Sequence, residues 1–444
     1  MHAVRSAGSE LPGSPTASLR RKVIVASTIG NAFEWFDFTL FGLFTLVIAQ
    51  EFFPLVSHTG SLLLGTATLG VAFIFRPIGG MVFGVYADRV GRKRAVALVV
   101  VLMAFATAGL GLIPSYAQIG LMAPLLVVAV RILQGFSAGG EFSSATALLV
   151  EYAPAGHRGF YGSIQMCSQA LAVTLAGFSV YALSAGLSPA ALNTWGWRLP
   201  FLFGILVGPV GFYIRRRLQE SPQFAAYVRS HPRPTAADFR AGLMGARRSL
   251  LSGFGLTVAA TVSFYVTFIY MPIFAVRELH LGLAQATLPT MLCGVLLVVL
   301  CPLAGHLSDR WGRKRMLVTA MLLYALAMLT LTAWVLQSPV FLNYLLLQFI
   351  ASVCMAFVWG PFPTAVTETV PVGVRATGVA LIYNFSVMLF GGLAPFFITA
   401  IIGVSGNAMA PAYYVTGGVL LSLLSYGLWG QDSRASGRAA DTII

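Results

Sequence analysis

Twelve apolar runs, each long enough to cross a bilayer, follow one another along this chain. They lie near 23–48, 61–86, 95–114, 118–150, 160–186 and 197–214, then near 249–275, 284–305, 316–337, 341–367, 377–403 and 411–430. A helix rises about 1.5 Å per residue, so roughly 20 apolar residues match the hydrocarbon thickness. Composition agrees, at 57% hydrophobic and 9% charged residues, where a soluble domain carries about 25% charged residues. The expected fold is an all-α polytopic membrane protein with twelve transmembrane helices.

The polar stretches between runs divide the chain. Residues 1–22 read as a cytoplasmic N-tail, 23–214 as a six-helix bundle and 215–248 as a cytoplasmic linker. Residues 249–430 read as a second six-helix bundle and 431–444 as a cytoplasmic C-tail. The first apolar run is too long, and too polar at its centre, for a signal peptide. With both termini inside, 24 of the 28 Lys and Arg residues face the cytoplasm, and only Arg198 and Arg277 face outward. The net charge of +14 is therefore an orientation signal, and no nucleic-acid partner is expected. Cys167, Cys293, Cys301 and Cys354 sit in apolar runs without paired spacing and read as core residues. No metal or other cofactor is expected, because the six histidines are scattered and no phosphate-cradling loop is present.

Two pairs of segments repeat. GVYADRVGRKR (84–94) is echoed by GHLSDRWGRKR (305–315), and EYAPAGHR (151–158) by ETVPVGVR (368–375). Each pair holds the same place in its half, after the second and the fourth run. Offsets of 221 and 217 residues imply two parallel repeats related by an axis along the membrane normal.

These loops resemble the cytoplasmic signature of the major facilitator superfamily. GNAFEWFDF (30–38), FRPIGG (75–80), RILQGFSAGGE (131–141), WGWRLPF (195–201) and YNFSVMLFGGLAP (383–395) are similar to stretches of its metabolite:proton symporters. The resemblance covers residues from about 22 to 430. It implies the two-bundle fold and secondary transport of citrate, 2-oxoglutarate, shikimate, proline, betaine or a related solute, with no enzymatic activity.

The residues themselves allow a mechanism. Carboxylates cost roughly 2.5–3.5 kcal/mol each at mid-membrane, yet the first run holds Asn31, Glu34 and Asp37 at i, i+3 spacing. Helix rise puts Glu34 roughly 18 Å and Asp37 roughly 22 Å from Lys22. By the same arithmetic Arg76 lies roughly 18 Å deep, Arg131 roughly 30 Å from Glu151, and Glu141 roughly 15 Å from it. Asp37 is then expected to meet Arg131, with Glu34, Arg76 and Glu141 in a lower layer. The expected proton-coupling residues are Asp37, Arg131, Glu34 and Glu141, with Asp37 as carrier, an assignment that the resemblance also implies. Burial penalises the charged form of a carboxylate and a nearby guanidinium favours it, so a substrate carboxylate that competes for Arg131 couples uptake to protonation. The competing reading makes these pairs pure packing elements. It weighs as much as function for Glu34, Arg76 and Glu141, and less for Asp37 with Arg131.

Asn31, Arg76, Arg131, Gln134, Tyr265, Trp359, Tyr383 and Asn384 are the expected substrate contacts, with charge in the first half and polar or aromatic walls, Tyr270 and Gln348 included, in the second. Tyr383 and Asn384 rest on the family motif. A gating latch is expected from Gly84, Asp88, Gly91, Arg92, Glu151 and Arg158, and from Asp309, Arg313, Glu368 and Arg375. The basic residues among these also serve topology. Two deep cations favour a mono-, di- or tricarboxylate as substrate, taken up with protons by alternating access. A proline/betaine-type zwitterion is the alternative, followed by a transporter-like sensing receptor. The expected partners are a small solute, protons and lipid, with a monomer working in the bacterial inner membrane.

Overall fold

The first span bends by 63° between Thr28–Leu43 and Thr45–Phe52. At the bend the Thr45 hydroxyl donates to the Phe41 carbonyl at 3.0 Å, a side-chain bond back along the helix that tilts the turn. The protein was analysed as a computed structural model, which describes residues 17–54, 57–90, 92–139, 141–154, 156–204, 244–370 and 375–429. Among these every regular element is helical. The first helix starts at Ala17, within the expected N-tail of 1–22; the rest of that tail, most of the linker and the C-tail fall outside the described residues.

The first half contains the bent first span, the second span His58–Val90 and the third Arg92–Leu112. The fourth span is Met122–Ser137 continued by Glu141–Glu151, and the fifth is Arg158–Gly186. A sixth begins at Leu199, and its body lies outside the described residues. The second half has its seventh span at Arg247–Arg277, the eighth at Leu283–Trp311 and the ninth at Arg313–Gln337. The tenth joins Phe341–Trp359 to Phe362–Thr369, the eleventh runs Arg375–Ser405 through three segments, and the twelfth is Ala410–Trp429.

Seven described helices are long and apolar enough to cross a membrane, or eight with the bent first span. The third and fourth spans add the shorter apolar helices Val101–Leu112 and Met122–Ser137 among the described residues.

Those breaks are informative. The fourth span is interrupted at Ala138-Gly139 and the tenth at Gly360-Pro361. Gly139 and Gly360 are separated by the same 221 residues as the duplicated loops. Interrupted helices at corresponding positions of two repeats point to the working centre of a transporter. The seventh and eleventh spans widen into π-turns at Tyr265–Tyr270 and Val387–Gly392. Pro272 and Pro395 follow them; each lacks an N–H for the ladder and crowds the carbonyl four residues earlier.

Close packing is set by small residues. A methyl group on Gly135 would overlap the Ala72 carbonyl, and one on Gly79 would overlap the Phe136 carbonyl. The second and fourth spans therefore touch backbone to backbone, as small-residue patterns allow in lipid. Between the halves, Gly159 and Gly305 face each other's carbonyl oxygens, and Gly177 and Gly294 pack on Met291 and Thr174 further along. The fifth and eighth spans thus lie together over their length.

Candidate functional site

Three polar residues on the first span find partners on three different spans. Each step of three residues falls short of a full turn by about 60°, so Asn31, Glu34 and Asp37 fan out. All three are buried. Asn31 Nδ2 donates to Ser168 Oγ at 2.6 Å and its Oδ1 accepts from Gln165 Nε2 at 2.9 Å, both on the fifth span. Glu34 Oε1 pairs with Arg76 Nη2 of the second span at 2.5 Å. Asp37 Oδ2 stands 3.5 Å from Arg131 Nη1 of the fourth.

The two arginines have different surroundings. Arg131 Nη1 donates to Gln134 Oε1 at 2.7 Å, and Gln134 Nε2 donates to Thr107 Oγ1 at 3.3 Å. Thr107 also lies beside the Asp37 carboxyl. The Arg131 guanidinium rests 4.2 Å from the Phe41 ring centroid and 5.0 Å from that of Phe38. Arg76 sits in an aromatic cage, its guanidinium carbon 5.6–5.9 Å from the rings of Trp35, Phe38, Phe73 and Tyr383. Ring faces attract a cation strongly once water is excluded. Buried ions each forfeit several kcal/mol of hydration, so each guanidinium is held by a carboxylate and by π-density together.

A cavity of about 20 Å³ lies between the halves, enough for about one water. Trp35 and Gln169 line it from the first half, and Tyr265, Trp359, Phe362 and Tyr383 from the second. Trp359 Nε1 donates to the Ala260 carbonyl at 3.0 Å and its ring stacks on Phe264. On the side toward the basic loops, Tyr383 stacks on Phe142 at 3.6 Å, and Asn384 Nδ2 donates to the Gly139 carbonyl at 2.7 Å. On the opposite side Ile269 covers Gly42, Phe73 packs on Gly392, and Arg277 Nη2 donates to Thr59 Oγ1 at 3.4 Å. The cavity is shut at both ends, an occluded arrangement.

Six of the residues expected to form a latch meet at the basic end. Asp309 Oδ1 accepts from the Gly159 amide at 2.9 Å and Oδ2 from the Phe160 amide at 3.2 Å. These are N–H groups at the start of the fifth span, where a carboxylate is favoured. Arg313 reaches Asp309 at 2.8 Å and Glu368 at 3.1 Å. Glu151 faces Arg375, and Glu368 faces Arg158, so the duplicated Glu-x-x-Pro-x-Gly-x-Arg segments exchange partners across the halves. Gly91 lies outside the described residues, as do the side chains or surroundings of Gly84, Asp88, Arg92 and Glu141.

Not every polar candidate of the second half reaches the cavity. Gln348 Nε2 donates to the Thr267 carbonyl at 3.0 Å and to Tyr344 Oη at 2.9 Å. Tyr270 lies toward Thr399 and Arg277, away from the cavity. Asn384 holds the closure between halves, and Asn31 and Gln134 are tied within the first half. Sequence reasoning missed Gln165, Ser168 and Gln169, buried polar residues at i, i+3 and i+4 on an apolar fifth span. The signal was the run YGSIQMCSQ (161–169).

A polytopic bundle with two buried ion pairs in its first half, beside a small closed cavity between the halves that none of the four charged residues lines, has the build of a membrane transporter. The chain matches the Major Facilitator Superfamily over residues 27–395, and again over 253–436. It is 39% identical over 407 residues to a citrate-proton symporter of Klebsiella pneumoniae, covering 90% of each chain. It is 32% identical over 407 residues to a proline/betaine transporter of Escherichia coli, covering 89% of this chain and 80% of that one. The xylose transporter XylE from E. coli, in a partially occluded inward-open conformation, has the same fold. Its TM-score is 0.75 at 19% identity, over 94% of this chain and 99% of that one. The chain belongs to the Major Facilitator Superfamily.

Proposed function

We propose that the protein is a proton-coupled symporter of a small organic acid, working by alternating access. The similarity to citrate-proton symporters at 39% and 36% identity supports this reading. The observation that carries the mechanism is the buried Asp37–Arg131 pair, 3.5 Å apart, between spans one and four. Two guanidiniums and two carboxylates share this buried region with no net charge among them. A substrate carboxylate that takes Arg131 leaves Asp37 without its counter-charge, and a proton restores neutrality. Release of the acid returns Arg131 to Asp37 and expels the proton, so the two travel together.

Alternating access in this reading moves residues 23–214 against 249–430 as two bundles joined by the 215–248 linker. Asp309, Arg313 and Glu368, with Glu151, Arg158 and Arg375, hold the basic end shut. The excess of Lys and Arg at that end supports a cytoplasmic location for it and for both termini, in a bacterial inner membrane, with a monomer as the working unit. Binding solute requires the halves to part, because the occluded cavity admits about one water.

A zwitterionic substrate of the proline/betaine type is the second reading. It is favoured by the neutral balance of the two buried pairs and by relatives of that type at 32–33% identity. Uptake into proteoliposomes, measured across carboxylates and zwitterions with and without an imposed proton gradient, separates them. Gradient-driven accumulation of a carboxylate supports the proposal. Accumulation of zwitterions alone transfers it to the second reading, and gradient-independent flux refutes proton symport.

A further inference from the structure

Outside the central site, a groove of about 320 Å³ opens where the fifth and eighth spans meet at the basic end. Its walls are Phe160, Pro302 and Leu303, and its upper rim is formed by His157 and His306, whose ring centroids are 6.2 Å apart. The two imidazoles come from opposite halves of the molecule. Along the eighth span, Val299, Leu303, His306 and Arg310 recur at helical spacing on one face. Val299 is 65% and Leu303 47% exposed, so this face looks outward into lipid. It passes from apolar to basic as it nears the membrane surface.

We propose that this groove binds an anionic phospholipid of the inner leaflet. Its phosphate is received by His157 and His306 with Arg310 one turn further on, and one acyl chain lies over Leu303 and Val299. Charge complementarity selects this occupant. Arg310 follows His306 on the exposed face, while the nearby carboxylates, Asp309 and Glu368, are engaged by main-chain amides and by Arg313 in the seam. Basic pockets between spans on the cytoplasmic side favour such headgroups. Because its two imidazoles belong to different halves, the site exists as built only while the basic end is closed. Bound lipid therefore favours the closed seam, by the rule that a ligand shifts a protein toward the state it prefers. The inference uses the orientation of the chain and is independent of which solute is carried.

Native mass spectrometry of the purified full-length protein tests it, with phosphatidylglycerol and phosphatidylcholine of identical acyl chains as probes. Phosphatidylglycerol is expected to be retained at least fivefold over phosphatidylcholine. The His157→Ala/His306→Ala variant is expected to lose that preference, and Leu303→Glu to lower retention of both lipids. Equal retention of the two lipids by the wild type, or an unchanged preference in the double variant, overturns the proposal. So does displacement of the lipid by millimolar inorganic phosphate, which would mark a site for the free anion. Should the double variant not fold, phosphatidylglycerol with a photoreactive acyl chain on the wild type decides. Labelling of Phe160 or Leu303 supports the groove, and labelling confined to other helices overturns it.

Discussion

Arg131 reaches Asp37 across 3.5 Å while donating to Gln134 at 2.7 Å, so its fully buried guanidinium is already shared between a carboxylate and an amide. A shared donor can change its carboxylate partner without being left bare. Removing the charge of Asp37 while keeping its shape isolates the coupling role. Asp37→Asn is expected to lower gradient-driven accumulation at least 100-fold, with substrate exchange across equilibrated proteoliposomes within about threefold of wild type. Uphill uptake at the normal level would show that the proton is carried elsewhere.

Arg76 is the second test, because its planar guanidinium fills a cage that a lysine ammonium does not match. Arg76→Ala leaves Glu34 buried without its cation and is expected to destabilise the protein by about 3–5 kcal/mol. Joining it to Glu34→Gln should restore part of that loss. A double-mutant cycle read by thermal unfolding in detergent measures the coupling. Additive single effects would mean that the pair contributes nothing as a pair.

Backbone contact between the second and fourth spans predicts an unusual sensitivity to a single methyl group. Gly135→Ala drives its Cβ into the Ala72 carbonyl and is expected to cost about 1–3 kcal/mol as overpacking. Gly186→Ala meets open space and is expected to leave the melting temperature unchanged. Equal melting of the two variants would refute the close approach.

The Asp309 carboxylate joins the halves through the Gly159 and Phe160 amides, and Arg313 of its own half braces it. Asp309→Asn weakens charge-assisted bonds worth about 1.5–3 kcal/mol each and should shift the population toward a form open at the basic end. Donor and acceptor dyes placed on the tip of each half at that end should report a larger mean separation in the variant. An unchanged distance distribution would remove Asp309 from the latch.

Much of this molecule is legible in one dimension because lipid imposes simple rules. Length and hydropathy mark the spans, and the paired segments at 84–94 and 305–315 disclose the two repeats. The same reading brought Asp37 to Arg131 and Glu34 to Arg76, since depth along a helix is close to linear in residue number. Rotation about the helix axis was harder to read. Asn31, Glu34 and Asp37 share a face only loosely, and packing sends each to a different neighbour.

What the chain alone determined is the number and spacing of its helices and the layers in which charges can meet, since all follow from local composition and rise per residue. Tertiary packing decided which rings enclose Arg76, that Gln348 turns away toward Thr267 and Tyr344, and that Gln165, Ser168 and Gln169 turn inward. It also decided that Tyr383 stacked on Phe142 closes one side of the cavity and that Ile269 over Gly42 and Phe73 over Gly392 close the other. Those outcomes depend on the shapes of side chains from distant segments meeting in one place, and no window of sequence contains that information.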